Sequence, residues 1–420
     1  MGPKPEMGHS GYRNFDYSEK LAANSPVKKK RRHLRTIGMA LVLLSALMFA
    51  ALIIGGNHAS FSRLSTGAPG EKPMDRGVAS GILTDQDNRS IRLPNRIDRM
   101  IVTVFPVPAL WHAMTGSCDK IVGIHPGAKE KARASLLGVL APSLLSVADG
   151  FIKGQDLNIE EALKLEPDLF LFWGLYHNQL AQFDAIDVPS VSVHTVKGGN
   201  AVETLEVWAR ILGRISGDTD TASRWIAYLH ETRATINERV KDIPRERRPR
   251  ALILFYLGPE EINVPGAGQY GQFWIESTGA VNAAENISGR VYVNMEQIYR
   301  WNPDIIYITN FSDAMPEDLT GNTMNGRDWS GLKAVKEGRV YKIPMGVYGW
   351  YPPSPDAPLM LKWMAQKHHP GLFGDFTMAE EIRKYYSEFY HYGLSLGEIE
   401  RILHLQGNTA CSRIIHEGNS

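Results

Sequence analysis

The feature that most constrains this chain is a segment that occurs twice. NIEEALKLEPDLFLFWG at 158–174 and NMEQIYRWNPDIIYITN at 294–310 share an Asn, a Glu and a Pro-Asp pair at a constant offset of 136. Each copy starts with a helical stretch that proline must end, and then continues as apolar residues without alternation. Such a run is typical of a strand buried on both faces of a parallel sheet. The chain is therefore predicted to contain one α/β unit twice.

The segments that precede each copy also match. LWHAMTG at 110–116 and FWIESTG at 273–279 share Trp, Thr and Gly at equal spacing. Each of these helices follows an apolar strand, at 99–106 in the first half and at 251–258 in the second. Strands that alternate with helices predict a parallel sheet in each half.

A long helix is predicted between the halves. Residues 218–244 offer Asp or Thr as the N-cap and Pro244 as the stop, and about 24 helical residues would span roughly 36 Å. The predicted fold class is therefore α/β, with two lobes that each hold a parallel sheet flanked by helices, joined by one long backbone helix. The expected boundaries are 91–216 for the N-terminal lobe, 217–244 for the linking helix, 245–405 for the C-terminal lobe and 406–420 for a tail.

The N-terminal region predicts a transmembrane helix. Residues 37–54 are 18 uncharged residues, long enough to cross roughly 27 Å of hydrocarbon. The basic tail 1–36 should stay cytoplasmic, which sends the rest of the chain to the other side of the membrane. We expect an uncleaved anchor, with a cleaved signal segment as the alternative, followed by a flexible tether over 55–90.

Composition narrows the function classes. After residue 36 the chain carries 37 Lys or Arg against 42 Asp or Glu, so no nucleic-acid partner is expected. The two cysteines, Cys118 and Cys411, are too isolated for a zinc site or a disulfide framework. The sequence lacks GxGxxG after a strand, a P-loop, HExxH and GxSxG with a plausible triad, so we do not expect an enzyme.

Two α/β lobes joined by a long helix behind a membrane signal resemble the helical-backbone (class III) substrate-binding proteins of ABC transporters for iron chelates and vitamin B12. The resemblance covers roughly 90–405. It is carried by RIDRMIVTVFP, the two repeated segments, FWIESTGAVNAAENISG, WSGLKAVKEGRVYKIP, YGWYPPSP and the closing EEIRKYYSEFYHYGLSLGEIERIL. It implies capture of a ligand between the lobes, delivery to a membrane permease, a monomeric protein and no covalently bound cofactor.

Candidate ligand-binding residues follow the predicted strands or lie in aromatic and basic loops. Ligands of open α/β sheets bind at the carboxyl ends of the strands. Arg290 suits an anionic chelate, and the resemblance implies a pocket role for Trp173, which matches a pocket tryptophan of the vitamin B12-binding member. His177 or Tyr348 could reach the metal. The full set is Phe105, Pro106, Trp173, Tyr176, His177, Tyr256, Tyr270, Arg290, Asn310, Tyr348 and Trp350.

Two repeated glutamates are the candidate docking residues. The resemblance implies that one surface glutamate on each lobe reaches arginines of the permease, and the matching residues are Glu160 and Glu296. The alternative is that an acid is favoured at these positions only by the dipole of the helix N-terminus.

The ligand is left open by the sequence. An aromatic cleft with an arginine favours a metal chelate, with a ferric siderophore first. A molybdate- or tungstate-type oxyanion, a corrinoid or haem are the alternatives, and an α/β enzyme or an anchored sensor is less favoured.

Overall fold

The computed structural model describes residues 81–153, 156–174, 182–183, 185–324 and 326–404. The predicted transmembrane helix 37–54, the basic tail 1–36 and the tail 406–420 lie outside these residues. Within the described ranges, no helix is long and apolar enough to cross a membrane.

The strands and helices follow one another along the chain in an α/β order. The strands are β1 Ile82–Thr84, β2 Ser90–Arg92, β3 Met100–Val102, β4 Ile121–Ile124, β5 Ile152–Lys153, β6 Asp156–Leu157, β7 Leu169–Trp173, β8 Ser190–Val193, β9 Arg250–Leu254, β10 Tyr256–Leu257, β11 Ile262–Pro265, β12 Val281–Asn282, β13 Arg290–Tyr292, β14 Ile305–Ile308 and β15 Val340–Lys342. The helices are α1 Val107–Thr115, α2 Pro126–Arg133, α3 Leu137–Leu140, α4 Ile159–Leu163, α5 Ala201–Ser216, α6 Thr219–Val240, α7 Tyr270–Ser277, α8 Met295–Trp301, α9 Pro316–Thr320, α10 Lys333–Lys336, α11 Ala357–His368, α12 Met378–Phe389 and α13 Leu396–Ile402.

The two lobes contain sheets of the same topology. The first sheet has the order β4-β3-β7-β8 and the second the order β12-β9-β14-β15, and both are parallel throughout. In the first sheet β3 lies between β4 and β7, and in the second β9 lies between β12 and β14. The prediction of two parallel sheets built on one plan is confirmed.

The Pro-Asp pair of the repeat shares two hydrogen bonds between the lobes. The N–H of Asp168 donates to the carbonyl of Arg99 at 2.8 Å, and its Oδ2 accepts from the N–H of Arg99 at 2.9 Å. Asp304 makes the same pair of contacts with Arg250, at 2.8 and 2.7 Å. Asp168 therefore joins the start of β7 to the start of β3, and Asp304 joins the start of β14 to the start of β9. The sequence had indicated only that the Pro-Asp pair lies where a helix gives way to a strand.

The second matched segment ends its helix in the same way in both lobes. The hydroxyl of Thr115 donates to the carbonyl of Trp111 at 2.8 Å, and that of Thr278 donates to the carbonyl of Trp274 at 2.6 Å. The glycine after each threonine has a positive φ, 73° and 79°, which favours glycine and ends a helix. Both helix ends are therefore products of one local sequence pattern.

The connection between the lobes contains two helices. The predicted linking helix is confirmed as α6, which begins after the cap residue Asp218 and covers about 33 Å at about 1.5 Å per residue. Its Trp225 is buried and donates from the indole N–H to the hydroxyl of Tyr385 at 2.9 Å. The preceding helix α5, with the buried Trp208, was not identified from the sequence.

Regular structure begins earlier than expected. The strands β1 and β2 form a hairpin that starts within the segment predicted as a tether. The buried Asp85 pairs with Arg89 at 2.7 Å, and its Oδ2 accepts from the N–H of Ser192 at 3.1 Å, at the end of the N-terminal sheet. The hairpin is therefore fixed to the first lobe, because a buried carboxylate needs these partners.

Candidate functional site

The sheet topology locates the candidate site. In the N-terminal sheet the chain passes from β3 to β4 on one side and from β7 to β8 on the other, and β9 and β14 are followed in the same way in the C-terminal sheet. The loops after these strands therefore diverge at the carboxyl edge of each sheet. Such a divergence opens a crevice where α/β sheets usually bind ligands. The loops are those after β3 and β7 in the N-terminal lobe and after β9 and β14 in the C-terminal lobe.

On the C-terminal lobe, the residues beside this crevice form a row of aromatic rings with an arginine at one end. The rings of Phe255 and Phe311 stack with their centroids 4.7 Å apart. The guanidinium carbon of Arg290 lies 4.3 Å from the centroid of Phe255. This distance is well within the range of a cation–π interaction, so the sequence-predicted Arg290 packs against this aromatic row.

Two tyrosines extend this wall. The edge of Tyr351 meets Phe255 at 5.8 Å and Tyr270 at 6.4 Å between centroids. Burial raises the pKa of Tyr351 well above its ordinary value, and the charge of Arg290 opposes the rise. Burial also raises the pKa of Tyr270 to about 12, against a smaller effect of the nearby Thr195. Both phenols are therefore neutral at physiological pH and present hydroxyl groups instead of phenolate.

The wall of the N-terminal lobe is formed by Phe105 and the helix α2. Phe105 packs against His125 at 4.3 Å between ring centroids, and the Nδ1 of His125 accepts from the N–H of Gly127 at 3.0 Å, which caps the helix. Near its end, α2 carries Lys131, whose Nζ lies 6.0 Å from the ring centroid of Phe311 in the other lobe. Sequence reasoning missed Lys131 because KEKAR has the pattern of an ordinary solvated helix.

Lys131 and the loops of the C-terminal lobe enclose a small cavity of about 10 Å³, roughly the room for one water molecule. The accessible surface of this cavity is apolar, and its lining residues are Lys131, Asn310, Phe311, Met345, Tyr348, Gly349 and Pro352. The Nδ2 of Asn310 donates to the carbonyl of Ile343 at 2.9 Å. The structure thus brings the predicted Asn310 and Tyr348 together at the contact between the lobes.

A buried aspartate, Asp356, stabilises the loop 345–351 through hydrogen bonds. The Oδ2 of Asp356 accepts from the N–H of Val347 at 3.1 Å, the indole of Trp350 at 2.9 Å and the hydroxyl of Tyr386 at 3.0 Å. Burial raises the pKa of Asp356 to about 7, although these three hydrogen bonds oppose the rise. Trp350 is fully buried in this network, so the structure places it in the core instead of on the cleft wall where the sequence predicted it.

The same loop also contacts the N-terminal lobe. The N–H of Leu136 donates to the carbonyl of Gly346 at 3.0 Å, and the hydroxyl of Ser135 donates to the carbonyl of Val347 at 3.0 Å. A loop that lines the cavity therefore also joins the two lobes.

The remaining predicted residues are more scattered. Trp173 is half-buried with its edge toward Trp208 at 6.0 Å between centroids, and its indole nitrogen has no hydrogen-bond partner within the described residues. Pro106 is buried at the start of α1, and Tyr256 is exposed beside Gly258. Tyr176 and His177 lie outside the described residues. Within those residues, no group of three or more His, Cys, Asp or Glu side chains is placed to hold a metal ion.

The two candidate docking glutamates occupy equivalent positions. Asn158 and Asn294 cap α4 and α8 by accepting from the N–H three residues later, at 3.1 and 2.9 Å. Glu160 and Glu296 therefore both lie in the first helical turn, and both are exposed. Glu296 pairs with Arg300 on its own helix, whereas Glu160 makes no ion pair within the part of the chain that the structure describes.

Comparison with known proteins agrees with this architecture. Residues 101–345 match the family model described as periplasmic binding protein. The crystal structure of a periplasmic solute-binding protein from Veillonella parvula is 33% identical, with a TM-score of 0.71, and the match covers 77% of this chain and 97% of that one. The molybdate-binding protein MolA of Haemophilus influenzae is 24% identical over 74% of this chain and 92% of its own length.

A third relative is the Fe(3+)-citrate-binding protein YfmC of Bacillus subtilis, which is 20% identical over 73% of this chain and 90% of its own length. Proteins of this family are extracytoplasmic and bind solutes, and they are not enzymes. The family model covers more than half of the chain, and the two lobes, the linking helix and the cleft are those of its helical-backbone class. The chain therefore belongs to the periplasmic binding protein family, the solute-binding components of ABC importers.

Proposed function

We propose that this protein captures an anionic metal chelate between its lobes, with a ferric siderophore as the first candidate, and delivers it to a membrane permease. The observation that carries the proposal is the row Lys131, Phe311, Phe255 and Arg290. It places a cation at each end of two stacked rings. An organic chelate offers both apolar surface for the rings and negative charge for the cations.

The position of the two cations supports a ligand that contacts both lobes. Lys131 belongs to the N-terminal lobe and Arg290 to the C-terminal lobe, and Lys131 makes neither an ion pair nor a hydrogen bond within the described residues. The Lys131 side chain is half-buried beside the other lobe, and an anionic ligand would supply the partner that its charge lacks there. Binding between the cations would also hold the lobes together.

A molybdate- or tungstate-type oxyanion is the second candidate. It is favoured by the similarity to the molybdate-binding protein MolA. A chelate would have to move Lys131 away from Phe311 to enter, whereas a small oxyanion needs a smaller displacement. Corrinoid and haem remain further candidates, because they too present a large apolar face with anionic groups.

Analysis of the ligand that remains bound through purification without refolding separates these candidates. The proposal predicts iron together with an organic chelator, identified by elemental analysis and mass spectrometry of the full chain in detergent. Molybdenum or tungsten without an organic ligand would favour the second candidate, and a bound corrinoid or haem would favour the others.

Docking to the permease is proposed for Glu160 and Glu296. Their exposure and equivalent positions provide one matched acid on each lobe, and exposed charges of this kind mainly set orientation and association rate. Changing both to lysine should abolish ligand-stimulated ATP hydrolysis by the reconstituted transporter and leave ligand affinity unchanged. The pair Glu161→Lys and Glu317→Lys, also exposed in first helical turns, is the matched control. Equal loss in this control would contradict specific docking.

We also propose that residues 37–54 anchor the protein in the cytoplasmic membrane, with the lobes outside the cytoplasm and the chain monomeric. The 18 uncharged residues behind a basic tail support this orientation. An intact N-terminus in mass spectrometry of the membrane-bound protein is the expected result. A mature N-terminus beyond residue 54 would show that the segment is a cleaved signal.

A further inference from the structure

We propose that the contact between the two lobes is coupled to the protonation of Asp356, so that the neutral carboxyl favours joined lobes and the ionised carboxylate favours separated lobes. Because the proposed ligand is captured between the lobes, its binding should then take up a proton. This second step rests on the proposed function, whereas the coupling itself rests on the contacts of the loop 345–351.

One peptide group connects Asp356 to the other lobe. The peptide between Gly346 and Val347 donates its N–H to the Oδ2 of Asp356 at 3.1 Å. The carbonyl of the same peptide accepts from the N–H of Leu136 at 3.0 Å. The next carbonyl, that of Val347, accepts from the hydroxyl of Ser135 at 3.0 Å. Since Ser135 and Leu136 belong to the N-terminal lobe, a shift of this peptide changes the contact of Asp356 and the contact between the lobes together.

The loop 345–351 also covers the carboxyl group. Asp356 is fully buried, and a Cβ added to Gly346 would lie only 2.1 Å from its Oδ2, so the loop backbone packs directly against this oxygen. The Oδ1 is also buried and has no hydrogen-bond partner within the described residues. On this side, water can therefore hydrate the carboxyl only when the loop moves away.

No positive charge compensates an ionised Asp356, which makes no ion pair within the part of the chain that the structure describes. The titratable groups packed around it or around its neighbours are Tyr385, Tyr386 and Tyr390 on and after α12, Tyr228 on α6, and His112 and Cys118 on and after α1, with Glu388 exposed on α12. Burial raises the pKa of Tyr385, Tyr386, Tyr390 and Cys118 and lowers that of His112, so none of these five groups carries a charge near pH 7.

The sign of the coupling follows from the relative size of two opposing effects. Ionisation polarises the connecting peptide, which strengthens the bond from Leu136 by about 10–30%. Burial of a charge without a partner costs much more than this gain. Ionised Asp356 therefore favours a state in which the loop and the N-terminal lobe have moved apart and water hydrates the carboxylate. The contact should be strongest at low pH, weaken as the pH rises to about 7, and change little above that.

Hydrogen exchange of the full chain in detergent, measured by mass spectrometry without added ligand, tests the coupling at the contact itself. The amide of Leu136 exchanges when its bond to Gly346 opens. Wild-type protein and Asp356→Asn are compared at the same pH, so the intrinsic pH dependence of exchange and the titration of His112 cancel. The ratio of the wild-type to the variant exchange rate should rise at least about tenfold from pH 5 to pH 8, because each unit by which separation lowers the pKa of Asp356 changes it tenfold.

Two further variants assign the effect to the carboxyl. The hydroxyl of Tyr386 donates to the Oδ2 of Asp356 at 3.0 Å and opposes the rise of its pKa, so Tyr386→Phe should move the transition to higher pH. Ser135→Ala removes a bond between the lobes and leaves the carboxyl unchanged, so it should speed exchange at every pH and keep the rise between pH 5 and pH 8. Exchange in β3 reports unfolding of the lobe, and at pH 8 Leu136 should exchange at least about tenfold faster than β3.

An unchanged ratio between pH 5 and pH 8, a transition at the same pH in Tyr386→Phe, or exchange of Leu136 at the rate of β3 would overturn the coupling. Titration of ferric citrate over the same pH range tests the second step, and the affinity of wild-type protein relative to Asp356→Asn should fall at least about tenfold. Equal pH dependence in the two proteins would overturn proton uptake on binding. No binding of ferric citrate at any pH would contradict the proposed ligand, and the exchange result would still decide the coupling.

Discussion

Replacing the buried Asp356 by asparagine should remove a specific part of the pH dependence of stability. Burial raises the pKa of this carboxyl from its ordinary value of 3.8 to about 7 in the folded protein. The folded state therefore binds the proton more tightly than the unfolded chain. The stability that Asp356 contributes is fully present below about pH 4 and is lost as the pH rises through about 7. A difference of about three pH units corresponds to about 4 kcal/mol.

The amide introduced by Asp356→Asn cannot ionise, so the variant should lack this loss. Its amide oxygen can still accept from Val347, Trp350 and Tyr386, which keeps the loop 345–351 in place. The free energy of unfolding is measured by urea titration of both proteins at pH values from about 4 to 8.5. The variant should gain roughly 4 kcal/mol relative to wild type between these limits. Other titrating groups cancel in the comparison, so two parallel curves would refute the reasoning.

Three further predictions concern other parts of the fold. His368 is fully buried, and burial lowers its pKa to about 3. The stability that the neutral ring contributes is therefore present above about pH 6.5 and is lost as the pH falls toward 3. His368→Asn should reduce this loss of stability at acid pH in urea titrations, and an unchanged loss would contradict the assignment. Gly199→Ala should destabilise the protein by roughly 1–3 kcal/mol, because φ is 71° and the new Cβ would lie 2.5 Å from the carbonyl carbon of Gln269. Thermal unfolding measures the loss of stability, and Gly150→Ala, where a Cβ meets no other atom, is the control. Asp168→Asn and Asp304→Asn should each lower the free energy of unfolding by about 1–3 kcal/mol in denaturant titrations, since each weakens the hydrogen bonds between two central strands; an unchanged free energy of unfolding in either variant would contradict this role.

Much of the fold could be predicted because the repeat acts through local rules. The Pro-Asp pair must end a helix before a buried strand, and the Thr-Gly pair must end the preceding helix, whichever lobe contains them. The helix α5 was missed because it directly precedes α6, and the turn between them depends on Gly217 with its positive φ. The hairpin at 82–92 was missed because its contact with the first lobe, from Asp85 to the N–H of Ser192, joins residues more than 100 positions apart.

The site was less predictable than the fold. Arg290 and Asn310 could be proposed as ligand contacts because isolated charges and strand ends are visible in sequence. Lys131 was not found, because its position against Phe311 depends on how the two lobes meet. Trp350 was assigned to the cleft wall because the aromatic segment that contains it could offer surface to a large ligand, but burial and the hydrogen bond to Asp356 put it in the core. Sequence shows which residues follow a strand, whereas the packing of the lobes decides which of them face each other.

Equilibrium titration of ferric chelates into wild-type protein and into the double variant Lys131→Gln, Arg290→Gln tests the central claim most directly. Quenching of tryptophan fluorescence reports binding by the full chain in detergent, with ferric citrate and a ferric hydroxamate as the ligands. We expect saturable binding of at least one anionic chelate by the wild-type protein and a loss of at least about tenfold in affinity in the double variant, or about 1.4 kcal/mol. No binding of any chelate, or equal affinity in the two proteins, would contradict the account.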